Sequence, residues 1–362
     1  MMELLTNKNY KWIYTYDYAP GSLWEVWREA DVVPSWIDDE TDRVAQRVDR
    51  NNREAGIKMP CFLLLADSHF AYNGTWDDTV ICLRTLNEKI EFDGLYHLGD
   101  ITDGWLPLEE TRKNEAACIS DMRSLGIPVH VLPGNHDYNY FRRNPEICYP
   151  EKPQFYIEYP ADIKASLTPE NTKEISDNNE ANGFRIICID SFDPRETVRY
   201  GFTDYCIHWL EAALRSMPEG YSAIIMSHVP PLVRLQAWAK DIRNREKLID
   251  VLNRYADRIL AFINGHNHCD HLFNDLNNGQ FPIISINCAK CEYFTDHKPE
   301  GAVVPERRLG DRTQESFDLM QVDVLNRRIF FTRFGAGADR IVEEHRAKWG
   351  CDTCTEYTKT AT

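Results

Sequence analysis

The sequence predicts an α/β protein built on mainly parallel strands, and three observations carry that reading. From Met59 onward, apolar runs of strand length alternate with amphipathic stretches of helix length. Runs such as Cys61-Phe-Leu-Leu-Leu-Ala66 are continuously apolar, as strands covered on both faces are. Five of these runs lead directly into acids, histidines or an asparagine. Open α/β sheets build their sites at such C-terminal strand ends.

Taken in order, residues 1–57 precede the first strong strand. They are rich in aromatics (Tyr10, Trp12, Tyr14, Tyr16, Tyr18, Trp24, Trp27, Trp36) and close with a charged helical stretch, Asp42 to Ala55. Aromatics of this kind bury area, so the segment is expected to pack on the core as an arm, the alternative being a lid or dimer contact over the site. The first strand, Cys61–Ala66, ends at Asp67-Ser-His69, and a helix is predicted near Asp77 to Ile90. Leu95-Tyr-His-Leu-Gly-Asp-Ile-Thr-Asp-Gly104 reads as a strand that turns at Gly99 and presents Asp100 and Asp103. A helix near Leu108 to Ser124 leads to the strand Pro128–Leu132, which runs into Pro133-Gly-Asn-His-Asp137. Successive strand–helix units imply right-handed crossovers and parallel pairing.

Residues 138–182 break the rhythm with Pro145, Pro150, Pro153 and Pro160 and a polar run, and read as an irregular insertion shaping substrate access. The sheet resumes at Phe184–Ile189. A helix capped by Thr203 runs to Leu214, and the strand Tyr221–Met226 ends at Ser227-His228. A helix near Asn244 to Ala256 precedes the strand Ile259–Ile263, which ends at Gly265-His266-Asn-His268. Further β segments fall at Ile283–Ile286, Phe317–Val324 and Arg328–Phe334, the last two forming a hairpin. This places a main domain at 58–337 and a polar, peripheral tail at 338–362.

At 362 residues and 43% apolar, the chain can bury a sizeable core. Its net charge of −16, without any Lys/Arg-rich run, counts against a protein that grips polynucleotides through their phosphates. Bound cations could still reverse the sign inside a cleft. No apolar run approaches the roughly 18 residues of a membrane span, and the N-terminus lacks a signal-peptide pattern. The eleven cysteines are scattered and several fall in apolar strands, so a reduced, cytoplasmic protein is expected. Cys288-x-x-Cys291 and Cys351-x-x-Cys354 have zinc-site spacing but lie far apart and are read as free thiols.

The strand ends carry seven metal-ligand residues: Asp67, His69, Asp100, Asn135, His228, His266 and His268. One histidine at a strand end means little, but seven such residues on strands of one sheet would converge along one edge. His97, His130, His208, His271, His297 and His345 lack the pattern and are read as structural or surface groups. Imidazole, carboxylate and amide oxygen suit two divalent ions of Mn, Fe or Zn, and Asp100 can bridge them with its two oxygens. Ions about 3.5–4 Å apart can hold a bridging hydroxide and clamp a phosphoryl group for in-line attack.

Asp67-x-His69, Gly99-Asp100-x-x-Asp103, Gly134-Asn135-His136-Asp137, Ser227-His228 and Gly265-His266-x-His268, in this order, resemble the five motifs of the calcineurin-like metallophosphoesterase superfamily. The resemblance implies a four-layer α/β/β/α sandwich of two mixed sheets. It assigns one metal to Asp67, His69, Asp100 and His268, and the other to Asp100, Asn135, His228 and His266. His136 becomes a non-ligand catalytic residue, with Asp103 orienting it and favouring its charged form. Asp137 is expected to cap the following helix. Gly104, where the related protein Ser/Thr phosphatases carry Arg, and Thr102, near the Tyr of purple acid phosphatases, point instead to the bacterial-type phosphodiesterases and small-molecule phosphatases. The expected partner is then a small-molecule phosphoester, with a nuclease or a non-catalytic binding scaffold as alternatives. Arg142, Arg143, Arg195 and Arg199 follow site strands and could meet a substrate phosphate, although solvated surface positions are the simpler reading.

Overall fold

The computed structural model describes residues 34–70, 75–104, 108–138, 154–160, 183–274, 281–292, 295–308, 310–350 and 357–359. Residues 1–33, most of the 138–182 insertion with Arg142 and Arg143, and Cys351 and Cys354 lie outside them.

Helices α1 (Trp36–Ala55), α2 (Trp76–Lys89) and α3 (Leu108–Arg123) accompany strands β1 (Cys61–Leu65), β2 (Gly94–His97) and β3 (Val129–Val131). Strands β4 (Phe155–Tyr159), β5 (Phe184–Ile189), β6 (Ser222–Ser227) and β7 (Ile259–Asn264) follow, with α4 (Asp204–Arg215) and α5 (Arg245–Arg254) among them. The chain continues through β8 (His271–Phe273), β9 (Ile283–Ser285), β10 (Val303–Pro305), β11 (Ser316–Asp323), β12 (Arg328–Gly335), β13 (Arg340–Glu343), β14 (Arg346–Trp349) and β15 (Tyr357–Lys359).

The strands form two mixed sheets. One has the order β14-β13-β12-β11-β1-β2-β3 and the other β4-β5-β6-β7-β9-β8, while β10 and β15 pair separately. The strands bearing the candidate ligands therefore do not share one sheet: β1, β2 and β3 belong to the first and β6 and β7 to the second. Strand alternation explains the layers. Phe62, Leu64 and Ala66 point inward with Tyr96, Met320 and Phe331, against Phe184, Ile186, Met226 and Ile263 of the second sheet. Cys61, Leu63 and Leu65 point outward to Val44 and Val48 of α1, Leu83 and Leu86 of α2, and Met122 of α3. On the far side, Ile187, Ile225 and Phe262 meet Leu210 of α4 and Leu252 of α5. Four layers result, each large apolar side chain contributing about 1.5–3 kcal/mol on burial.

Register then aligns the strand ends. Leu63, Leu95 and Val129 pair side by side, so the loops after β1, β2 and β3 leave the sheet together. Ser227 pairs with Asn264, which sets His228 beside the Gly265–His268 loop.

Two segments differ from the sequence reading. Phe155–Tyr159, inside the supposed irregular insertion, is an edge strand paired antiparallel with β5. Its flanking Pro153 and Pro160 concealed it, although prolines beside an edge strand are tolerated. The supposed polar tail contributes β13 and β14, which extend the first sheet. Their hairpin turns through Glu344 and His345, both left-handed at φ 49° and 62°. That geometry is usually signalled by Asn-Gly, so the turn gave no signal in the sequence. One of their charges, that of Arg340, is internal and pairs beside Arg333 of β12. Arg340 and Arg333 are buried, bridging Asp270 and Asp318 at 2.5–3.1 Å.

Removing one member of this quartet strands a buried charge, which costs about 3–5 kcal/mol. Arg340→Met is accordingly expected to lower unfolding stability by that amount, measured by denaturant titration.

Candidate metal centre

The candidate ligands meet where the C-terminal edges of the two sheets face each other. Five of them take left-handed backbone, a costly choice for residues with side chains: Asp67, His69, Asp100, His266 and His268, at φ 45–67°. The loops that hold them are cross-linked through their backbones. Asp67, His69 and Phe70 donate their N–H groups to the carbonyls of Gly99, Asp100 and Ile101 at 2.7–3.0 Å. The Asp137 carboxylate accepts from the N–H groups of Asp100 (2.7 Å), Ile101 (2.9 Å), Thr102 (3.4 Å) and Gly134 (2.8 Å). Asp137 is thus a loop clamp rather than the helix cap expected. Both loops pass so closely that a Cβ on Gly134 would lie 2.2 Å from the Asp100 nitrogen, and Gly99, at φ 95°, faces Gly134 in turn.

The carboxylates are aimed by these bonds. One oxygen of Asp67 accepts from His266 N–H at 2.9 Å, and one of Asp100 accepts from His136 N–H at 2.8 Å. The remaining oxygens face the histidines. Asp67 Oδ1 lies 3.3 Å from His268 Nε2. Asp100 Oδ2 lies 3.2 Å from His228 Nε2 and 3.9 Å from His69 Nε2. The donor atoms of Asp67, His69 and His268 fall within 4.8 Å of one another, as do those of Asp100, His228 and His266. Asn135 Oδ1 joins the second group, 3.1 Å from His228 Nε2.

The tautomers show whether a cation fits. His69 Nδ1 lies on the Asp103 carboxylate (3.0 Å), His268 Nδ1 on Glu292 (2.8 Å) and His228 Nδ1 on the Leu98 carbonyl (2.8 Å). Each acceptor calls for N–H at Nδ1, which leaves a lone pair on Nε2. Those lone pairs converge: His69 and His268 Nε2 stand 3.0 Å apart, and His228 Nε2 is 3.2 Å from His266 Nδ1. Facing lone pairs among anionic oxygens suit divalent cations of the Mn, Fe or Zn type. Burial opposes the charge on His228 and His268, yet the neighbouring carboxylates outweigh it and hold them up at about 9 and about 10.

His136 shares this bonding at Nδ1, and its Nε2 lies 3.8 Å from Asp100 Oδ2, in a donor group with His69 and Asp100. Its Nδ1–H donates to the main-chain carbonyl of Asp103 at 2.6 Å, and burial pushes it down to about 4. Asp103 therefore orients His136 through its backbone. Its carboxylate lies on His69 Nδ1 instead. Burial raises that carboxylate to about 6. Arg195, nominated for a phosphate, is occupied by a two-point pair with Asp193 at 2.8 and 3.0 Å. His97 is a core group: Gly99 N–H donates to its Nδ1, and its Nε2 meets Ser68 at 2.7 Å.

Sequence reasoning missed Glu292 and Lys290, which lie in the loop after β9. That loop is a further strand end of the second sheet, and this was the signal available. It also missed Tyr200 and Trp238, whose rings lie 5.2 and 5.3 Å from His266. Cys288 and Cys291 are free and buried, as read.

The sequence model of the calcineurin-like phosphoesterase family matches residues 62–270, and the chain belongs to that family. It is 28% identical over 192 residues to a probable glycerophosphodiester phosphodiesterase GpdQ of Arcobacter nitrofigilis, covering 52% of this chain and 61% of that protein. It is 20% identical over 225 residues to a manganese-dependent ADP-ribose/CDP-alcohol diphosphatase of Arabidopsis thaliana, covering 53% of this chain and 70% of that protein. Among solved structures, a dimetal phosphatase from Danio rerio superposes with a TM-score of 0.53 at 15% identity, over 79% of this chain and 99% of that one. PhoD superposes with a TM-score of 0.51 at 10% identity, over 82% and 72%. These two likenesses concern the fold. Among the described residues, no helix is long and apolar enough to cross a membrane.

Four buried N–H groups depend on Asp137, and stranding a buried donor costs about 1–3 kcal/mol. Asp137→Ala is therefore expected to destabilise the protein by at least about 3 kcal/mol and to lower its metal content. Thermal unfolding and elemental analysis of the purified variant read both effects.

Proposed function

We propose that this protein is a metal-dependent phosphoesterase that hydrolyses a phosphoric ester of a small molecule, with a diester or diphosphate linkage as the preferred bond. One observation carries the proposal: two donor groups, Asp67/His69/His268 and Asp100/Asn135/His228/His266, meet at Asp100 Oδ2. The names of the two curated relatives, a phosphodiesterase and a diphosphatase, support the choice of bond.

Asp67, His69, Asp100 and His268 would hold one ion, and Asp100, Asn135, His228 and His266 the other. Bound divalent ions supply Lewis acidity toward phosphoryl oxygens and an activated water. The chain's own contribution centres on His136. With Nδ1–H committed to a carbonyl, Nε2 is the one atom of this ring at which a proton can move. Burial disfavours the imidazolium, whereas an arriving phosphoryl anion favours it. The protonated ring would then give its Nε2 proton to the leaving oxygen. Tyr200 and Trp238 would flank the bound ester, Trp238 remaining 41% exposed beside His266 and His268.

Metal analysis, followed by turnover of aryl phosphate monoesters and diesters with Mn2+ added back, tests the proposal. Two ions per chain and diester hydrolysis that a chelator abolishes are expected, whereas monoester turnover alone would move the assignment to a phosphatase. His136→Ala is expected to lower turnover about 10²–10⁴-fold while metal content stays unchanged. Equal loss of both would remove His136 from the proton-donor role.

A further inference from the structure

The two halves of the centre are braced differently. His228 Nδ1 rests on a neutral backbone carbonyl, that of Leu98. His69 and His268 both rest on carboxylates, Asp103 and Glu292. Lys290 lies between these carboxylates. Its Nζ is 3.3 Å from Glu292 Oε2 and 3.8 Å from Asp103 Oδ1, and the residue is 4% exposed. Glu292 thus spends one oxygen on His268 and the other on Lys290.

The lysine is fixed where it stands. Its own N–H reaches the Asp67 carbonyl at 3.3 Å, and Ala289 N–H reaches the Ala66 carbonyl at 2.8 Å. Beneath the loop, the buried Arg307 guanidinium donates to the carbonyls of Cys288 (3.0 Å), Ala289 (3.2 Å), Thr313 (2.8 Å) and Gln314 (2.5 Å). The loop carrying Lys290 and Glu292 is therefore tied to the strand end that carries Asp67 and His69.

We propose that Lys290 is a positioning residue that joins Asp103 and Glu292 into one brace for His69 and His268, so that the half-site of Asp67, His69 and His268 gains or loses its ion as a unit. This rests on the two-metal reading above. Two carboxylates brought together from different loops, here Asp103 after β2 and Glu292 after β9, repel each other where burial limits screening. An ammonium between them removes the repulsion and holds each oxygen against its imidazole. A carboxylate-bonded imidazole is the stronger donor, and losing such outer contacts typically costs about 10–100-fold in metal affinity. The half-site of Asp100, Asn135, His228 and His266, braced through Leu98, does not draw on this arrangement.

Calorimetric Mn2+ titration of the full chain, with Mn2+ electron paramagnetic resonance on the same samples, tests the proposal. The wild type is expected to bind two ions with a spin-coupled pair signal. Lys290→Met is expected to weaken one ion about 10–100-fold and leave the other unchanged, the spectrum becoming that of isolated Mn2+. Glu292→Gln keeps the shape of the brace and removes its charge. It is expected to give the same single-ion loss, and it carries the test if Lys290→Met does not fold. Equal weakening of both ions, or of neither, overturns the proposal. A wild type that binds fewer than two ions overturns instead the two-metal reading on which it rests.

Discussion

The structure depends on one carboxylate doing the work of a backbone. Asp137 gathers N–H groups from Asp100, Ile101, Thr102 and Gly134, and so fuses the loops after β2 and β3 into one piece. Sheet hydrogen bonding ends at the strand termini, where the chain must turn away and leave its donors unpaired. Asp137 supplies the missing acceptors. The loops can then approach until only glycine fits at 99 and 134, and Asp100 emerges between the two sheets with one oxygen on His136 N–H and the other facing His228 and His69.

The cluster around Asp100 brings like charges and like lone pairs together in a buried space. Nothing in the apolar layers favours this, and the backbone strain at Asp67, His69, Asp100, His266 and His268 adds to its cost. The surrounding fold imposes it through the register of β1 with β2 and β3, and of β6 with β7. An arrangement unfavourable when empty is one that a cation stabilises, because the facing lone pairs then share one positive partner. His136 joins this edge with a carbonyl on Nδ1, a ring only partly buried, and Nε2 at 3.8 Å from Asp100 Oδ2.

Support for this edge comes from elements distant in sequence. Asp270, two residues beyond His268, is held by Arg333 and Arg340, which β12 and β13 carry against Asp318 of β11. Glu40 of α1 accepts from Gly335 N–H at 2.7 Å, and Arg47 of α1 pairs with Asp339 at 2.8 Å. The C-terminal strands and α1 thereby anchor the loop that presents His266 and His268.

Much of this was legible in the chain. Continuous apolar runs fixed β1, β5, β6 and β7 nearly to the residue, because a strand buried on both faces admits little else. The polar residues that follow β1, β2, β3, β6 and β7 named the seven side chains now found together, because a strand end is where an α/β sheet can expose chemistry. Charged and short strands were not legible. In β13 the buried partners of Arg340 are residues 22 and 70 positions away, so its sequence looks like surface. The roles of Asp103, Asp137, Lys290 and Glu292 were hidden for the same reason. A carboxylate or an ammonium announces a charge, but which group it meets depends on loops brought together from three strands. The sequence by itself therefore determined which strand-end residues could ligate a metal and which apolar segments form strands. Only the tertiary structure decided which strand lies in which sheet, and which polar group faces which, because hydrogen bonding and charge pairing act over a few ångströms between residues far apart along the chain.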